Sequence, residues 1–273
     1  MATGDPLPLE QLIEAVTKSG KYRFVSRDVV ARIGARQLAA GRPLKQAVKA
    51  TKNKLHQIAG AYRQGRPDYA AWLEQLARPL EAGDKTGFRA ACRRIMDGHA
   101  STRERLPILD EFYAVTLGGL PPIHSVLDLA CGLNPLAVPW MPLAAGATYT
   151  ACDIYTDLAA FLNDFFLLAG VRGRAQVCDL ATTVPPRRAD LALALKILPP
   201  LEQLERGASR RLLAGVRADY VLVSFPARSL GGRDRRMPQN YRSRFQSLVR
   251  GEGWGVQRFE FATELAFLIC KTG

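Results

Sequence analysis

Three aspartates at related positions are the residues of this chain best placed to do chemistry. Asp128 follows the apolar run Ser125-Val126-Leu127 and precedes the small turn Ala130-Cys131-Gly132. Asp153 closes a second run, Thr148–Cys152, 25 residues after Asp128, and Asp179 closes a third, Arg174–Cys178. Short apolar runs have strand character, and a turn of small residues lets backbone approach a ligand closely. Open α/β sheets bind their ligands at the carboxyl ends of such strands. An acid ending the second strand can accept from both hydroxyls of a ribose, and one after the third can accept from an adenine amino group. Each acid alone could equally cap the helix that follows it. Three on successive strand ends, beside a glycine turn, favour a binding site.

The ligand carries no phosphate on this reading. Gly-x-Gly-x-x-Gly is absent around Gly132, and no Gly-Lys-Ser/Thr follows a glycine loop. S-adenosylmethionine is a nucleoside of that kind, and Asp128-Leu129-Ala130-Cys131-Gly132 resembles the first motif of class I methyltransferases in a glycine-poor form. The chain has no Pro-Cys pair for a cysteine nucleophile and no Asn/Asp-Pro-Pro-Tyr/Phe motif for an exocyclic amine. No Ser/His/Asp arrangement emerges, and the three histidines and five cysteines show no metal spacing, so no catalytic residue and no metal are assigned. A ring nitrogen such as guanine N7 needs no proton removed before it attacks, so alignment and exclusion of water suffice for it.

The elements that must position these residues follow from periodicity. From about Leu9 to Leu106 the pattern is helical, with a helix over Leu44–Tyr62, another over Tyr69–Leu80 and a third ending at Met96. Ser101 with Glu104 reads as a capping box that starts a helix carrying Arg105 into the cleft to bind a carboxylate. After Gly118-Gly119-Leu120-Pro121-Pro122, strands and helices alternate, the mark of a parallel sheet. The fourth and fifth strands are Asp190–Leu195 and Tyr220–Phe225, a helix spans Leu201–Ala214, and Arg258–Phe261 with Leu265–Cys270 form a closing hairpin.

Charge points to a polyanionic partner. The 273 residues carry a formal net charge of +13, and 48% hydrophobic content supports a core. Between Arg42 and Arg66 stand seven basic residues and no acid, with Lys45, Lys49 and Lys52 on one helical face. From Arg228 to Arg250 there are seven arginines and one acid, with Tyr241 and Phe245 interleaved to stack on a base. The acidic, proline-rich Met1–Gln11 is no signal peptide, no apolar run reaches membrane-spanning length, and unpaired cysteines suit the cytoplasm.

With these residues in view, the chain resembles the aminoglycoside-resistance 16S rRNA methyltransferases that modify guanine N(7) at position 1405. The matching stretches are Lys52-x-Lys54-Leu55-His56-x-Ile58-x-Gly60-Ala61-Tyr62, His99–Leu106, Asp128–Leu136, Lys196-x-Leu198-Pro199 and Ser224-Phe225-Pro226-x-Arg228-Ser229-Leu230-Gly231. The resemblance implies an α/β fold: a class I S-adenosylmethionine-dependent (Rossmann-like) methyltransferase domain over 107–273, preceded by a helical, basic, ribosome-docking domain over 1–106. It implies cofactor contacts from Tyr62, His99, Ala100, Ser101, Arg105, Ala130, Asp153, Asp179, Leu180 and Leu195, and from Leu204, which stands where members of the family often carry glutamine. Lys52, Lys54, Lys196, Arg228, Arg233, Arg235, Arg236 and Met237 are the candidate contacts to the 16S rRNA of the assembled small (30S) subunit. The competing readings are a methyltransferase acting on a nearby decoding-site adenine, one acting on a small molecule, and a non-catalytic RNA-binding module.

Overall fold

The structure, a computed structural model, describes residues 7–60, 65–227 and 237–271. Tyr62, Arg228, Arg233, Arg235 and Arg236 lie outside the described residues, as does the side chain of Met237.

The first half is helical as periodicity demands. The helices are α1 (Pro8–Thr17), α2 (Arg27–Ala39), α3 (Leu44–Leu55), α4 (Tyr69–Glu81), α5 (Lys85–Met96), α6 (Ala100–Arg105) and α7 (Leu109–Leu117). Asp68 and Asp84 cap α4 and α5, their carboxylates accepting from the amides of Ala71 at 3.1 Å and Gly87 at 2.8 Å. The helix expected over Leu44–Tyr62 stops at Leu55 and continues as one wider turn, His56–Gly60, bonded five residues apart.

The second half is β1 (Ile123–Leu129), β2 (Leu143–Asp153), α8 (Thr156–Leu168), β3 (Arg172–Val177), β4 (Ala189–Leu195), α9 (Leu198–Leu204), α10 (Ala208–Gly215), β5 (Ala218–Pro226), α11 (Met237–Val249), β6 (Gly255–Glu260) and β7 (Glu264–Cys270). They build one seven-stranded sheet in the order β3-β2-β1-β4-β5-β7-β6. The first five strands run parallel, and the β6–β7 hairpin pairs antiparallel with β5. This is the doubly wound arrangement expected of a class I methyltransferase. The single helix expected over Leu201–Ala214 is two, because Gly207 adopts a left-handed conformation (φ 79°) and breaks it.

Alternation along the strands divides the apolar core in two. Leu191, Leu193 and Leu195 of β4 face the side packed by α1, α2, α5, α7 and α8, whereas Ala192 and Ala194 face α9, α10 and α11. The same helices that precede the sheet are therefore continuous with its first core. Among the described residues no helix is long and apolar enough to cross a membrane.

One close contact yields a test of this packing. A Cβ on Gly173 of β3 would lie 2.3–2.5 Å from ring atoms of the buried Phe166. Gly173→Ala should therefore destabilise by about 1–3 kcal/mol, whereas Gly119→Ala, with nothing within 4 Å, should change stability by no more than about 0.5 kcal/mol. Urea denaturation of both variants checks this, and equal midpoints would refute the packing described.

Candidate functional site

A cavity opens at the carboxyl edge of β1, β2 and β4, beside the residues that follow β3, and its walls come from both halves of the chain. Val29 of α2, Ile58 of the wide turn, and Tyr69 and Trp72 of α4 line it from the helical half; Leu180, Ile197, Leu201 and Leu204 line it from the second half. Tyr69 stacks on Phe161 of α8 (4.8 Å between ring centres) and meets Trp72 edge-on, which fixes the aromatic wall. The entry to α2 is stitched to the end of β2: Ser26 N donates to Ile154 O at 2.9 Å and Thr156 N to Phe24 O at 2.8 Å. Arg36 pairs with Glu205, and Lys54 Nζ donates to Gln203 O at 3.0 Å, tethering α2 and α3 to the end of α9.

The turn after β1 is strained where the cavity needs it. Ala130 (φ 54°) and Lys196 (φ 59°), which follow β1 and β4, are non-glycine residues in the left-handed region. Strain of this kind persists only where surrounding structure enforces it. Gly132 (φ 51°) has a second reason to be glycine, because a Cβ there would come within 2.8 Å of the His99 ring. Three backbone amides hold Asp153: Gly132 N at 2.9 Å on one oxygen, and Ile154 N at 2.7 Å with Tyr155 N at 3.3 Å on the other. Asp179, two residues beyond β3, takes the Arg32 side chain at 2.6 and 3.0 Å and Ala181 N at 3.1 Å.

Behind the cavity lies a buried polar cluster. Arg105, without exposed surface, donates through Nη2 to Glu264 Oε2 at 3.1 Å and through Nη1 to Asn134 Oδ1 at 2.8 Å. Its Nε also lies 3.0 Å from Glu264 Oε1, a charge contact outside hydrogen-bond alignment. Lys196 Nζ donates to Ser101 O at 2.9 Å and Glu104 Oε2 at 2.8 Å, with Glu264 Oε1 3.0 Å away. Asn134 donates in turn to Asp128 at 2.9 Å, as does the Tyr149 hydroxyl at 2.6 Å. Burial alone would raise the Glu264 pKa, but the two cations outweigh it and hold the carboxyl below its ordinary value. Asp128 has weaker support: burial pushes it up to about 6 despite its bonds from Tyr149 and Asn134.

The cavity gathers most of the residues singled out from sequence. His99, Ser101, Arg105, Ala130, Asp153, Asp179, Leu180, Leu195 and Leu204 all line it, whereas the buried Ala100 does not. Several local expectations need correction. Ser101 does not cap α6: the helix begins one residue earlier, His99 is its first flanking residue, and no side chain caps it. Glu104 turns instead to Lys196. Arg105 lines the cavity as read and is held there by the chain's own Glu264. Asp128, the last residue but one of β1, is near the strand end as read; it lines the cavity and accepts there from the Asn134 side chain. Phe245 is not offered to a base; it is buried and stacked on Phe267 at 4.0 Å, while Tyr241 stacks on Phe225 at 5.0 Å. Lys196 is also in the wall, with its ammonium turned inward. Lys52 and Lys54 are half-buried on α3, and Lys45 and Lys49 are exposed. Sequence reasoning missed Glu264, Asn134, Tyr149 and Arg32. Only Asn134 had a local signal, the unusual Cys-Gly-Leu-Asn-Pro run beside the turn.

An acid-rimmed, largely apolar cavity with no phosphate cradle suits a nucleoside. Comparison with known proteins agrees. The family model described as "Ribosomal RNA methyltransferase (FmrO)" matches residues 18–268. The chain is similar to a 16S rRNA (guanine(1405)-N(7))-methyltransferase of Micromonospora echinospora, 41% identical over 96% of this chain and 97% of that one. A protein of the same description from Serratia marcescens is 33% identical over 97% of this chain and 99% of the relative. Among solved structures, the 16S rRNA methyltransferase RmtF in complex with S-adenosyl-L-homocysteine superposes with a TM-score of 0.82. It is 33% identical, over 98% of this chain and all (100%) of that one.

The Asp128 environment makes a pH prediction. A carboxyl whose folded pKa is raised contributes most below its unfolded value, near 3.8, and that contribution is lost as pH rises through about 6. Asp128→Asn cannot ionise. Relative to this variant, the native chain should lose up to about 3 kcal/mol between about pH 4 and about pH 7, read by chemical denaturation. Glu264 shifts in the opposite sense but is present in both chains. A pH-independent difference would contradict the buried, ionisable role given to Asp128.

Proposed function

The chain belongs to the ribosomal RNA methyltransferase (FmrO) family, and from that premise we propose how its residues carry out S-adenosylmethionine-dependent methylation of guanine N(7) at position 1405 of 16S rRNA. The observation that supports the reading is the pair of carboxylates, Asp153 and Asp179, at successive strand ends on one rim of a cavity without a phosphate cradle. Asp153, fixed by three amides, receives the ribose hydroxyls, and Asp179 receives the adenine amino group. Leu180, Leu195, Leu201 and Leu204 enclose the base and exclude water from it. S-adenosylmethionine supplies an electrophilic methyl group on a sulfonium. Guanine N(7) brings its own lone pair, so the protein's work is alignment and desolvation, and no side chain need take a proton.

The helical stretch over 1–106 is, on this reading, the docking unit for the assembled small subunit, and 107–273 the catalytic one. Lys45 and Lys49 project from α3 into solvent with Lys52 beside them, suited to rRNA phosphates. Arg228, Arg233, Arg235, Arg236 and Met237 follow β5 and belong with the target nucleotide. On this reading the protein works in the cytoplasm, where its ribosomal substrate is found. The methylated guanine loses an acceptor and gains a positive charge on its major-groove edge, which repels a polycationic drug of the 4,6-disubstituted deoxystreptamine class.

Asp153→Ala should abolish S-adenosylhomocysteine binding by calorimetry while the variant, which also loses three amide contacts, still unfolds in one cooperative thermal transition. Bacteria expressing the native chain, but not this variant, should resist gentamicin and kanamycin. Primer extension should map the modification to guanine 1405; a modified adenine, or equal resistance from both chains, would overturn the reading. The double variant Lys45→Glu/Lys49→Glu should keep cofactor affinity while its small-subunit binding falls. Each lost phosphate contact should flatten the salt slope by about 1 in a log–log plot, and an unchanged slope would return α3 to the role of solvated surface.

A further inference from the structure

Arg32 has no part in the reading above, yet it is the side chain most firmly attached to Asp179. It stands on α2, in the helical half of the chain, 147 residues away in sequence. Its guanidinium forks over the carboxylate, Nε to Oδ2 at 2.6 Å and Nη2 to Oδ1 at 3.0 Å, with both side chains largely buried (15% and 16% exposed). Such a two-point contact sets the plane of a carboxylate as well as its charge. The remaining nitrogen, Nη1, is buried with no hydrogen-bond partner among the described residues.

The acceptor count gives the placement a use. A carboxylate offers about four lone-pair sites. Oδ1 takes two donors, Arg32 Nη2 and the Ala181 amide, and Oδ2 takes one, Arg32 Nε. One site is left, on Oδ2. Asp179 lines the cavity, whereas Arg32 lies behind it and lines no part of it.

We propose that Arg32 is the positioning residue for nucleobase recognition: by clamping Asp179 from α2, it leaves a single oriented acceptor for a 6-amino group and makes base recognition depend on the helical half of the chain. The inference rests on the cofactor reading given above. It differs from a plain structural salt bridge in one respect. Removing Arg32 should weaken binding of a 6-amino purine more than that of a purine lacking the amino group.

The test is calorimetric titration of S-adenosyl-L-homocysteine and its 6-deamino (purine riboside) analogue into the full chain, with melting curves as a folding control. The native chain should prefer the amino compound by about tenfold or more. Arg32→Gln and Arg32→Lys should each bring that preference close to one, since neither presents the fork. In an Asp179→Asn background, Arg32→Lys should cause no further loss. Should Arg32→Gln fail to fold, Arg32→Lys, which keeps the charge, carries the test. The proposal is overturned if the variants weaken both ligands by the same factor, if the two sites act additively, or if Arg32→Lys keeps the native preference. A native chain that binds both ligands without preference leaves Arg32 nothing to position and overturns it too. A native chain that binds neither ligand removes the cofactor reading itself.

Discussion

Glu264 is a carboxylate with no exposed surface, set between two cations, and the back wall of the cavity depends on it. Taking a carboxylate out of water costs several kcal/mol unless partners replace the lost hydration. Arg105 from α6 and Lys196 from the end of β4 do so, and each is buried in turn. The three residues come from separate parts of the chain, so the cluster closes only when the β6–β7 hairpin, the β4 end and α6 are all in place. That interdependence explains the left-handed Lys196 backbone: the strain is tolerated because two hydrogen-bond acceptors and the Glu264 charge hold its ammonium. Removing any one partner would leave a buried charge uncompensated, a larger loss than the net worth of the pair.

The cluster also divides labour among the acids. Asp128 and Glu264 are consumed by the protein, one by Asn134 and Tyr149 and the other by Arg105 and Lys196. Asp153 and Asp179 sit on the rim, where backbone amides and an arginine orient them toward the cavity. Of the three acids read from the sequence, Asp128 is thus taken up by its neighbours within the chain, whereas Asp153 and Asp179 stand on the rim of the cavity. A rim of carboxylate acceptors suits a nucleoside, since such a ligand offers hydroxyl and amino donors rather than phosphate.

The helices before the sheet are part of the same site. α2 and α4 supply Val29, Tyr69 and Trp72 to the cavity, and α2 and α3 hold the end of α9 through Arg36 and Lys54. A cavity walled from both halves lets whatever the helices touch influence the ligand, and the reverse, because coupling between sites is reciprocal. Similarity to proteins of this family along nearly the whole chain, rather than over the sheet alone, fits that shared construction.

What the sequence alone determined was local and periodic. Short apolar runs located the strands, helical spacing the helices, and the Asp128–Gly132 turn marked the carboxyl edge of the sheet; Asp153 and Asp179 were legible because each follows such a run. Helix boundaries were less so: the wide turn at His56–Gly60 and the break at Gly207 depend on neighbours that periodicity does not see. Tertiary structure alone decided which partner each charge took. Arg105 pairs with Glu264, 159 residues away on β7. Arg32 and Asp179 are separated by 147 residues. Nothing in the spacing of a chain encodes such pairs. They form because a buried charge must find its counter-charge wherever packing has brought one within reach, and that distance exists only once the sheet and helices have closed together.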